Sequence, residues 1–185
     1  MSSVVISFSK RAEGNCAAVA RLLLEKCGEE PVCFFDFSML EIHPCGGCSY
    51  ECFQKGGCCP YLEDGVYEMY RAIAESGRTF FIVPNYCDFP CANFFIFNER
   101  SQCFFQNQEE LQKKYLRAKK KFIVISNTGK ENFITAFRDH VEEGEEPDIL
   151  FLSAMRYRRI SIAGDLMDAE AARADLDEFV RLQEF

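Results

Sequence analysis

The chain lacks the excess of positive charge that nucleic-acid binding requires. It carries 21 Lys and Arg against 29 Asp and Glu, which gives a net charge of -8 over 185 residues. Since phosphate backbones are bound by concentrated basic faces, this balance argues against a nucleic-acid partner. We interpret the one basic run, residues 113–121, as a solvated helix face that leads into a strand.

Long apolar runs are also missing. No stretch approaches the roughly 20 residues that a membrane-spanning helix needs, and the amino terminus lacks the basic leader of a signal peptide. These absences predict a cytoplasmic protein without a membrane partner. The length predicts a single domain over residues 1–185.

Several catalytic and nucleotide-binding patterns are absent as well. There is no G-x-G-x-x-G fingerprint and no G-x-x-x-x-G-K-[ST] loop, which argues against a dinucleotide pyrophosphate site and against nucleoside triphosphate hydrolysis. We interpret the two histidines, His43 and His140, as surface or structural residues. No acid–base pair or activated nucleophile can be assigned, so the sequence does not predict chemistry by a side chain.

What the chain does contain is a regular alternation of apolar strands and helices. Short apolar segments predict five buried strands at residues 4–8, 32–37, 79–83, 122–126 and 149–153. Helical periodicity ends at Gly28, another helix opens at Glu63 and Asp64, a third covers residues 131–141, and Asp168 can cap the last. This alternation predicts an α/β fold with a doubly wound, five-stranded parallel sheet in the order 2-1-3-4-5.

The turn after the first strand is a candidate phosphate site. Residues 7–16 run from a strand directly into a helix, whose unpaired N–H groups and partial positive charge favour an anion. Ser9 and Asn15 add donors, Gly14 allows close approach, and Lys10 or Arg11 could neutralise the charge. An ordinary capped turn is the alternative. A monophosphate ligand fits the absence of the two nucleotide motifs.

Eleven cysteines are a large excess for a chain of this length. In a reducing compartment, clustered cysteines bind metal or take part in redox chemistry more often than they form disulfides. Several of them lie in a glycine-rich loop after the second strand, from Cys45 to Cys59. A loop of this kind can wrap thiolate ligands around a metal centre.

Taken in order, these segments resemble the flavodoxin-like NAD(P)H-dependent FMN reductases, and within them the iron–sulfur flavoproteins. The turn at residues 7–16 is similar to the family's first loop and keeps Gly14-Asn15, although Cys16 stands where a hydroxyl residue is usual. The stretch from Pro84, with Glu99-Arg100 downstream, resembles the loop around the flavin ring. Residues 126–129 resemble the loop after strand four, and the cysteines precede an acidic pair as they do in the family.

The resemblance implies FMN as the cofactor and NAD(P)H as the co-substrate. The residues that it assigns to FMN are Ser7, Ser9, Lys10, Arg11, Gly14, Asn15, Cys16, Pro84, Asn85, Tyr86, Cys87, Asn127, Thr128 and Gly129. It also implies a homo-oligomer and an electron acceptor that is a quinone, a metal, another flavin or a ferredoxin-like protein.

For the cysteine-rich loop, the resemblance favours a [4Fe–4S] cluster held by Cys45, Cys48, Cys52 and Cys59, with Cys58 as the alternative fourth ligand. A zinc site with His43, or a set of free or reversibly oxidised thiols, stays open. Cys87 and Cys91 flank the flavin loop and are either buried packing residues or a redox pair beside the flavin. Cys16, Cys27, Cys33 and Cys103 are interpreted as packing residues.

The sequence thus predicts an FMN-dependent oxidoreductase that accepts electrons from NAD(P)H. Two alternatives belong to other functional classes. One is a flavodoxin-like electron carrier without NAD(P)H turnover, and the other is a non-enzymatic thiol or metal redox sensor.

Overall fold

A parallel β-sheet forms the centre of the computed structural model, which describes residues 2–126 and 130–181. Its strands are β1 Ser3–Ser7, β2 Val32–Asp36, β3 Arg78–Tyr86, β4 Phe89–Pro90, β5 Lys120–Ser126 and β6 Asp148–Ser153. The parallel strands lie in the order β2-β1-β3-β5-β6, and β4 pairs antiparallel with the end of β3. The predicted five-stranded doubly wound sheet is confirmed, with the two-residue β4 as an addition.

The connecting helices are α1 Asn15–Cys27, α2 Val66–Glu75, α3 Ala92–Glu99, α4 Ser101–Phe105, α5 Glu109–Arg117, α6 Glu131–Arg138 and α7 Glu170–Arg181. Short 3-10 turns cover Glu51–Phe53, Ala154–Tyr157 and Leu166–Asp168. Asp168 therefore lies in a turn before α7, and not at the helix start that the sequence suggested. None of the helices in the described ranges is long and apolar enough to cross a membrane.

The two faces of the sheet bury alternate residues of the central strands, whereas the edge strand β2 has only half-buried and exposed residues. On β3, Phe81 and Val83 belong to one core, which also contains residues of α2 to α6. Phe80 and Ile82 belong to the other core, with residues of α1 and α7. This follows from the period of two along a strand, which sends successive side chains to opposite faces. The strands are therefore continuously apolar because both faces are covered.

The phenylalanine-rich stretch after β4 contributes to the first core. Phe94, Phe97 and Phe104 are fully buried, whereas 41% of Phe95 is exposed. The rings of Phe94 and Phe97 each make edge contacts with Phe8, at centroid distances of 5.4 and 5.5 Å. These three residues are therefore core residues.

β3 runs to Tyr86 and so continues through Pro84, past the predicted end of the strand at residue 83. The register between β1 and β3 stops at Ser7 and Ile82, so Pro84 lies beyond the last β1 partner. A missing N–H at this position therefore removes no bond to β1. Phe8 O, the next acceptor along that edge, instead accepts from Asn93 Nδ2 at 2.8 Å.

The basic run is also only partly solvated, which corrects the sequence interpretation. Lys120 and Lys121 are buried, at 6% and 5% exposure. Lys120 Nζ donates to the backbone oxygens of Tyr115, Leu116 and Ala118 at the end of α5. An ammonium group can satisfy the orphan carbonyls of a helix C-terminus in this way. The side chain is therefore a helix cap.

Arg100, between α3 and α4, is a fully buried cation. Its Nη1 lies 2.7 Å from Asp64 Oδ2 and also donates to His43 O, while Nη2 donates to Tyr61 O. Although burial opposes the charged form, the hydrogen bond and the charge of Asp64 raise the pKa of Arg100. The arginine therefore stays charged and attaches the loop before α2 to the α3–α4 junction.

Asp64 also binds the start of α2, although the sequence predicted that it would lie within that helix. It precedes α2, which begins at Val66, and its Oδ1 accepts from Val66 N at 3.3 Å. The acidic pair Glu63-Asp64 therefore precedes the helix. Asp64 binds Arg100 through Oδ2 and the first residue of α2 through Oδ1.

We expect Asp64→Asn to lower the free energy of unfolding by about 3 kcal/mol or more, because it leaves the buried Arg100 charge without a partner. Urea unfolding followed by circular dichroism measures the change. Glu146→Gln is the matched control, since Glu146 pairs with Arg138 on the surface and its loss should change the value by less than about 0.5 kcal/mol. Equal effects of the two substitutions would contradict the role given to Arg100.

His140 is buried within the first core beside four phenylalanine rings. Its Nδ1 lies 2.6 Å from the hydroxyl of Tyr115. Burial, with a smaller contribution from the charge of Lys120, lowers the pKa of His140 to about 3. The imidazole is therefore neutral in the folded protein at neutral pH.

This shift predicts a loss of stability in acid. Below pH 6.5 the unfolded state binds a proton at His140 that the folded state does not bind until about pH 3, so stability falls as the pH falls. Between pH 7.5 and pH 5 we expect this residue to remove about 2 kcal/mol from the free energy of unfolding.

The test compares urea unfolding of the wild type, His140→Phe and Tyr115→Phe at those two pH values. His140→Phe should lose this increment of acid sensitivity, whereas Tyr115→Phe should retain it because the histidine stays buried. An unchanged pH dependence in His140→Phe would refute the assignment.

Candidate functional site

A small cavity lies at the carboxyl ends of β1, β3 and β5, where open α/β sheets bind their ligands. Its volume is about 80 Å³. The residues around it are Ser9, Arg11, Glu13, Gly14, Asn15, Cys16, Pro84, Asn85, Tyr86, Ile125, Ser161 and Ile162. The structure therefore brings together eight of the residues that the sequence assigned to one site, from two segments about 70 positions apart.

The turn between β1 and α1 has the conformation of an anion cradle. Gly14 has a φ of +132°, which side chains rarely tolerate, and Asn15 is the first residue of α1. Ser9 Oγ accepts from Arg11 N at 3.1 Å and so fixes the turn. The helix start, with its N–H groups and partial positive charge, faces the cavity through Gly14 and Asn15.

Arg11 supplies the positive charge of this cradle. A Cβ placed on Gly14 would lie 3.5 Å from Arg11 Cζ, so the guanidinium lies directly against the helix start. Its Nη2 also donates to Ile162 O at 3.2 Å. Lys10, the alternative that the sequence left open, instead donates to Leu40 O at 2.7 Å and does not line the cavity.

Residues 161–164, which we call the covering segment, lie across the cradle. Asn15 holds this region on both sides, since its Nδ2 donates to Ser161 O at 2.8 Å and its Oδ1 accepts from Leu166 N at 3.0 Å. Gly164 approaches Gly14 so closely that a Cβ on it would lie 3.3 Å from Gly14 Cα. The side-chain amide of Asn15 thus positions the covering segment. The contact between Asn15 and a phosphate stays a prediction.

The second wall of the cavity is the turn from β3 into β4. Cys87 and Asp88 have φ values of +54° and +64°, and Asn85 Oδ1 accepts from Asp88 N at 2.8 Å. Tyr86 and Phe89 pair across this turn and are 57% and 50% exposed. Two half-exposed aromatic side chains therefore stand beside the mouth of the cradle.

Some predicted residues do not line the cavity. Ser7 is buried within β1, and Cys87 is exposed on the turn. Asn127, Thr128 and Gly129 lie outside the described residues. The sequence analysis missed Glu13, Ile125 and the covering segment. The carboxyl end of β5 could have indicated Ile125, but no pattern in the sequence marks Ser161 and Ile162.

The cysteines near the cradle are buried packing residues. Burial, with a smaller contribution from nearby Cys91, raises the pKa of Cys16 to about 12. Burial also raises the pKa of Cys91 to about 11, and its Sγ lies 3.4 Å from Phe8 O. Both thiols are therefore protonated at neutral pH, and a redox role for Cys91 gains no support from its position.

The cysteine-rich loop forms a separate region. Cys52 and Cys59 are buried, Cys45 and Cys48 are partly buried, and Cys58 is exposed. Within residues 2–126 and 130–181, no group of three or more His, Cys, Asp and Glu side chains is placed to hold a metal ion. The described residues therefore give no support to a [4Fe–4S] cluster or a zinc ion in this loop, and the predicted ligand set stays a prediction.

Comparison with known proteins identifies the fold. No protein-family model matches the chain, and no curated protein matches its sequence. Among solved structures, the Trp repressor binding protein from Bacillus subtilis aligns with a TM-score of 0.61 at 10% identity, over 100% of both chains.

Two further neighbours have similar scores. The azoreductase AzrA aligns with a TM-score of 0.58 at 10% identity over 97% of both chains. The NADH:FMN oxidoreductase EMOB, in its apo form, aligns with a TM-score of 0.51 at 12% identity, over 96% of this chain and 87% of the other. At these identities the likeness shows the fold, which is flavodoxin-like.

The contact between Gly164 and Gly14 generates a testable prediction about the covering segment. Gly164 and Gly144 both have positive φ values, +80° and +90°, but a Cβ on Gly144 would meet nothing within 4 Å. Gly144→Ala should destabilise the protein by about 1 kcal/mol through backbone strain alone. Gly164→Ala should lower stability by more, because the covering segment must also move away from Gly14.

Trypsin provides the local readout, since Arg158 and Arg159 precede the covering segment. Cleavage there should accelerate in Gly164→Ala and not in Gly144→Ala. Identical stabilities and cleavage rates would show that the close approach does not hold the segment in place.

Proposed function

We propose that this chain is an FMN-dependent oxidoreductase that takes electrons from NAD(P)H and passes them to a small-molecule or protein acceptor. The observation that carries the proposal is the cradle. In a flavodoxin-like sheet, the start of α1, the cavity-lining Gly14 and the guanidinium of Arg11 surround one cavity at the carboxyl ends of the strands.

The cradle fits the phosphate end of FMN better than the whole molecule. Its volume of about 80 Å³ is well below the roughly 300–1,000 Å³ of a complete small-molecule pocket. Glu13, an exposed carboxylate on the wall, opposes an anion, and Arg11 is the charge that offsets it. The ribityl chain and the ring would therefore lie outside the cavity, along the surface beside Tyr86.

The exposed aromatic pair supports this placement of the ring. Tyr86 and Phe89 offer flat apolar surface next to the cradle, as expected for contacts with an isoalloxazine ring. When bound, FMN would supply hydride acceptance and electron transfer, while the protein supplies orientation and exclusion of water. No side chain is assigned an acid–base role.

The proposed FMN contacts are Ser9, Arg11, Gly14, Asn15, Cys16, Pro84, Asn85 and Tyr86 from the cavity wall, with Ser7, Lys10, Cys87, Asn127, Thr128 and Gly129 from the family resemblance alone. The names of two structural neighbours, an azoreductase and an NADH:FMN oxidoreductase, agree with this chemistry for those proteins.

The acceptor belongs to the classes already given: a quinone, a metal, another flavin or a redox protein. A homo-oligomer would cover the exposed aromatic pair. The proposal does not use an iron–sulfur cluster.

The direct test titrates the purified protein with FMN and follows the quenching of flavin fluorescence. NADH or NADPH is then added without oxygen, and the flavin absorbance is recorded before and after addition of a quinone. Stoichiometric binding, bleaching by the nicotinamide and reoxidation by the quinone are expected. Binding without bleaching would favour the electron carrier, and failure to bind FMN would refute the proposal.

Arg11→Gln separates the phosphate contact from the rest of the site. Loss of a charge-assisted bond to phosphate should weaken FMN binding by about 10- to 100-fold, while the affinity for riboflavin, which has no phosphate, should not change. Lys10→Gln should have a smaller effect because Lys10 Nζ is bound to Leu40 O.

Arg21→Gln is the control on the exposed face of α1 and should bind both flavins like the wild type. A parallel loss of riboflavin affinity in Arg11→Gln would show that the residue does not act through the phosphate.

A further inference from the structure

A second cavity, of about 690 Å³, lies between the cysteine-rich loop, α2 and α4. It shares no lining residue with the FMN cradle. Four cysteines line it: Cys52, Cys58, Cys59 and Cys103. The proposed function leaves this cavity unused, although its volume lies within the range of small-molecule sites.

Two of these cysteines touch. Cys52 Sγ and Cys103 Sγ lie 3.0 Å apart, although the residues are separated by 51 positions in the chain. A disulfide bond is roughly 2.05 Å long, so a movement of about 1 Å would join them. Cys103 is buried in the first core, as the sequence predicted, and it is also the partner of Cys52.

The backbone holds Cys52 at this position. It occupies the 3-10 turn Glu51–Phe53, which is closed by bonds from Phe53 N to Tyr50 O and from Gln54 N to Glu51 O. Gly57 packs on the same turn so tightly that a Cβ would lie 1.8 Å from Glu51 O. Cys103 is fixed by α4, so neither sulfur relies on a loose segment for the contact.

The remaining wall of the cavity carries positive charge. Lys55 and Arg71 are exposed cations on it, and the amides of Gln54 and Gln106 line it together with the apolar side chains of Phe53, Leu62 and Tyr67. Cations and amide donors in the same cavity as a sulfur pair suit a small molecule that carries carboxylates.

We propose that Cys52 and Cys103 form a thiol–disulfide exchange site, and that the cavity receives a small carboxylate-bearing disulfide as its substrate. The Cys52 thiol loses its proton to solvent, and its sulfur attacks one sulfur of the substrate. One substrate thiolate leaves and takes up a proton. Cys103 then loses its proton and attacks Cys52 of the mixed disulfide, which releases the second thiol and leaves a Cys52–Cys103 disulfide.

The electron balance closes without another reagent. Two protein thiols are oxidised to one disulfide, and one small disulfide is reduced to two thiols. The order of attack follows from the position of each cysteine on the cavity wall. Cys52 belongs to the run of residues 52–59 that lines the cavity, whereas Cys103 is the residue of α4 that lines it, so we assign the first attack to Cys52 and the second to Cys103.

The test incubates the reduced protein with glutathione disulfide, blocks free thiols in acid and maps every cysteine by mass spectrometry without reduction. In the wild type, a peptide pair joined through Cys52 and Cys103 should appear, and neither residue should retain glutathione. Cys103→Ser should trap glutathione on Cys52, because the resolving thiol is missing. Excess reduced glutathione should reverse both products.

Cys33→Ser is the control, since Cys33 is exposed on β2 and outside the cavity, and it should give the same Cys52–Cys103 pair. Circular dichroism verifies that each variant is folded. A link from Cys103 to Cys45 would overturn the assignment, as would glutathione retained on Cys52 in the wild type. Iron or zinc that is bound as purified and protects these thiols would also overturn it in favour of a metal site. Each readout is independent of FMN binding.

Discussion

The buried charge of Arg100 is the constraint on which the arrangement of the loops depends. A cation with no exposed surface needs partners, and Nη1 and Nη2 of Arg100 find theirs in the loop between His43 and Asp64. That loop is long and contains little regular structure. It is attached to the α3–α4 junction by Arg100, which also lies 3.4 Å from Cys59 Sγ, and by Glu99, whose Oε1 accepts from Cys45 N at 2.6 Å.

The region around Arg100 contacts both candidate sites, the anion cradle and the Cys52–Cys103 pair. Arg100 fixes the cysteine-rich loop against the start of α4, the helix that carries Cys103. The same α3–α4 region contributes Asn93, which bonds to Phe8 O at the end of β1, just before the anion cradle. Asn93, near the start of α3, therefore contacts the strand that leads into the cradle, and Cys103 in α4 contacts Cys52. The two sites do not share a cavity.

The cradle illustrates how a common fold acquires a site of its own. A parallel sheet places the carboxyl ends of its strands at one edge. The turn after β1 and the hairpin of β3 and β4, which carries the exposed aromatic pair, therefore lie next to each other as a consequence of the fold. The covering segment is held across the helix start by the amide of Asn15 and by the close contact of two glycines, and the cavity that it borders has a volume of about 80 Å³. Access to the cradle is consequently a property of residues more than 140 positions from the turn itself.

The sequence by itself determined the sheet and the place of the cradle, because both depend on local geometry. Alternating apolar runs and helical periods report directly on backbone conformation, and Gly14 marks a turn that few other residues can adopt. The tertiary structure decided which cation serves the cradle, since only packing directs Arg11 toward Gly14 and Lys10 toward Leu40. It also decided the pairing of Cys52 with Cys103 and the burial of Arg100. Contacts between residues tens of positions apart are selected by the shape and charge of the whole interior, and no short pattern in the chain encodes them.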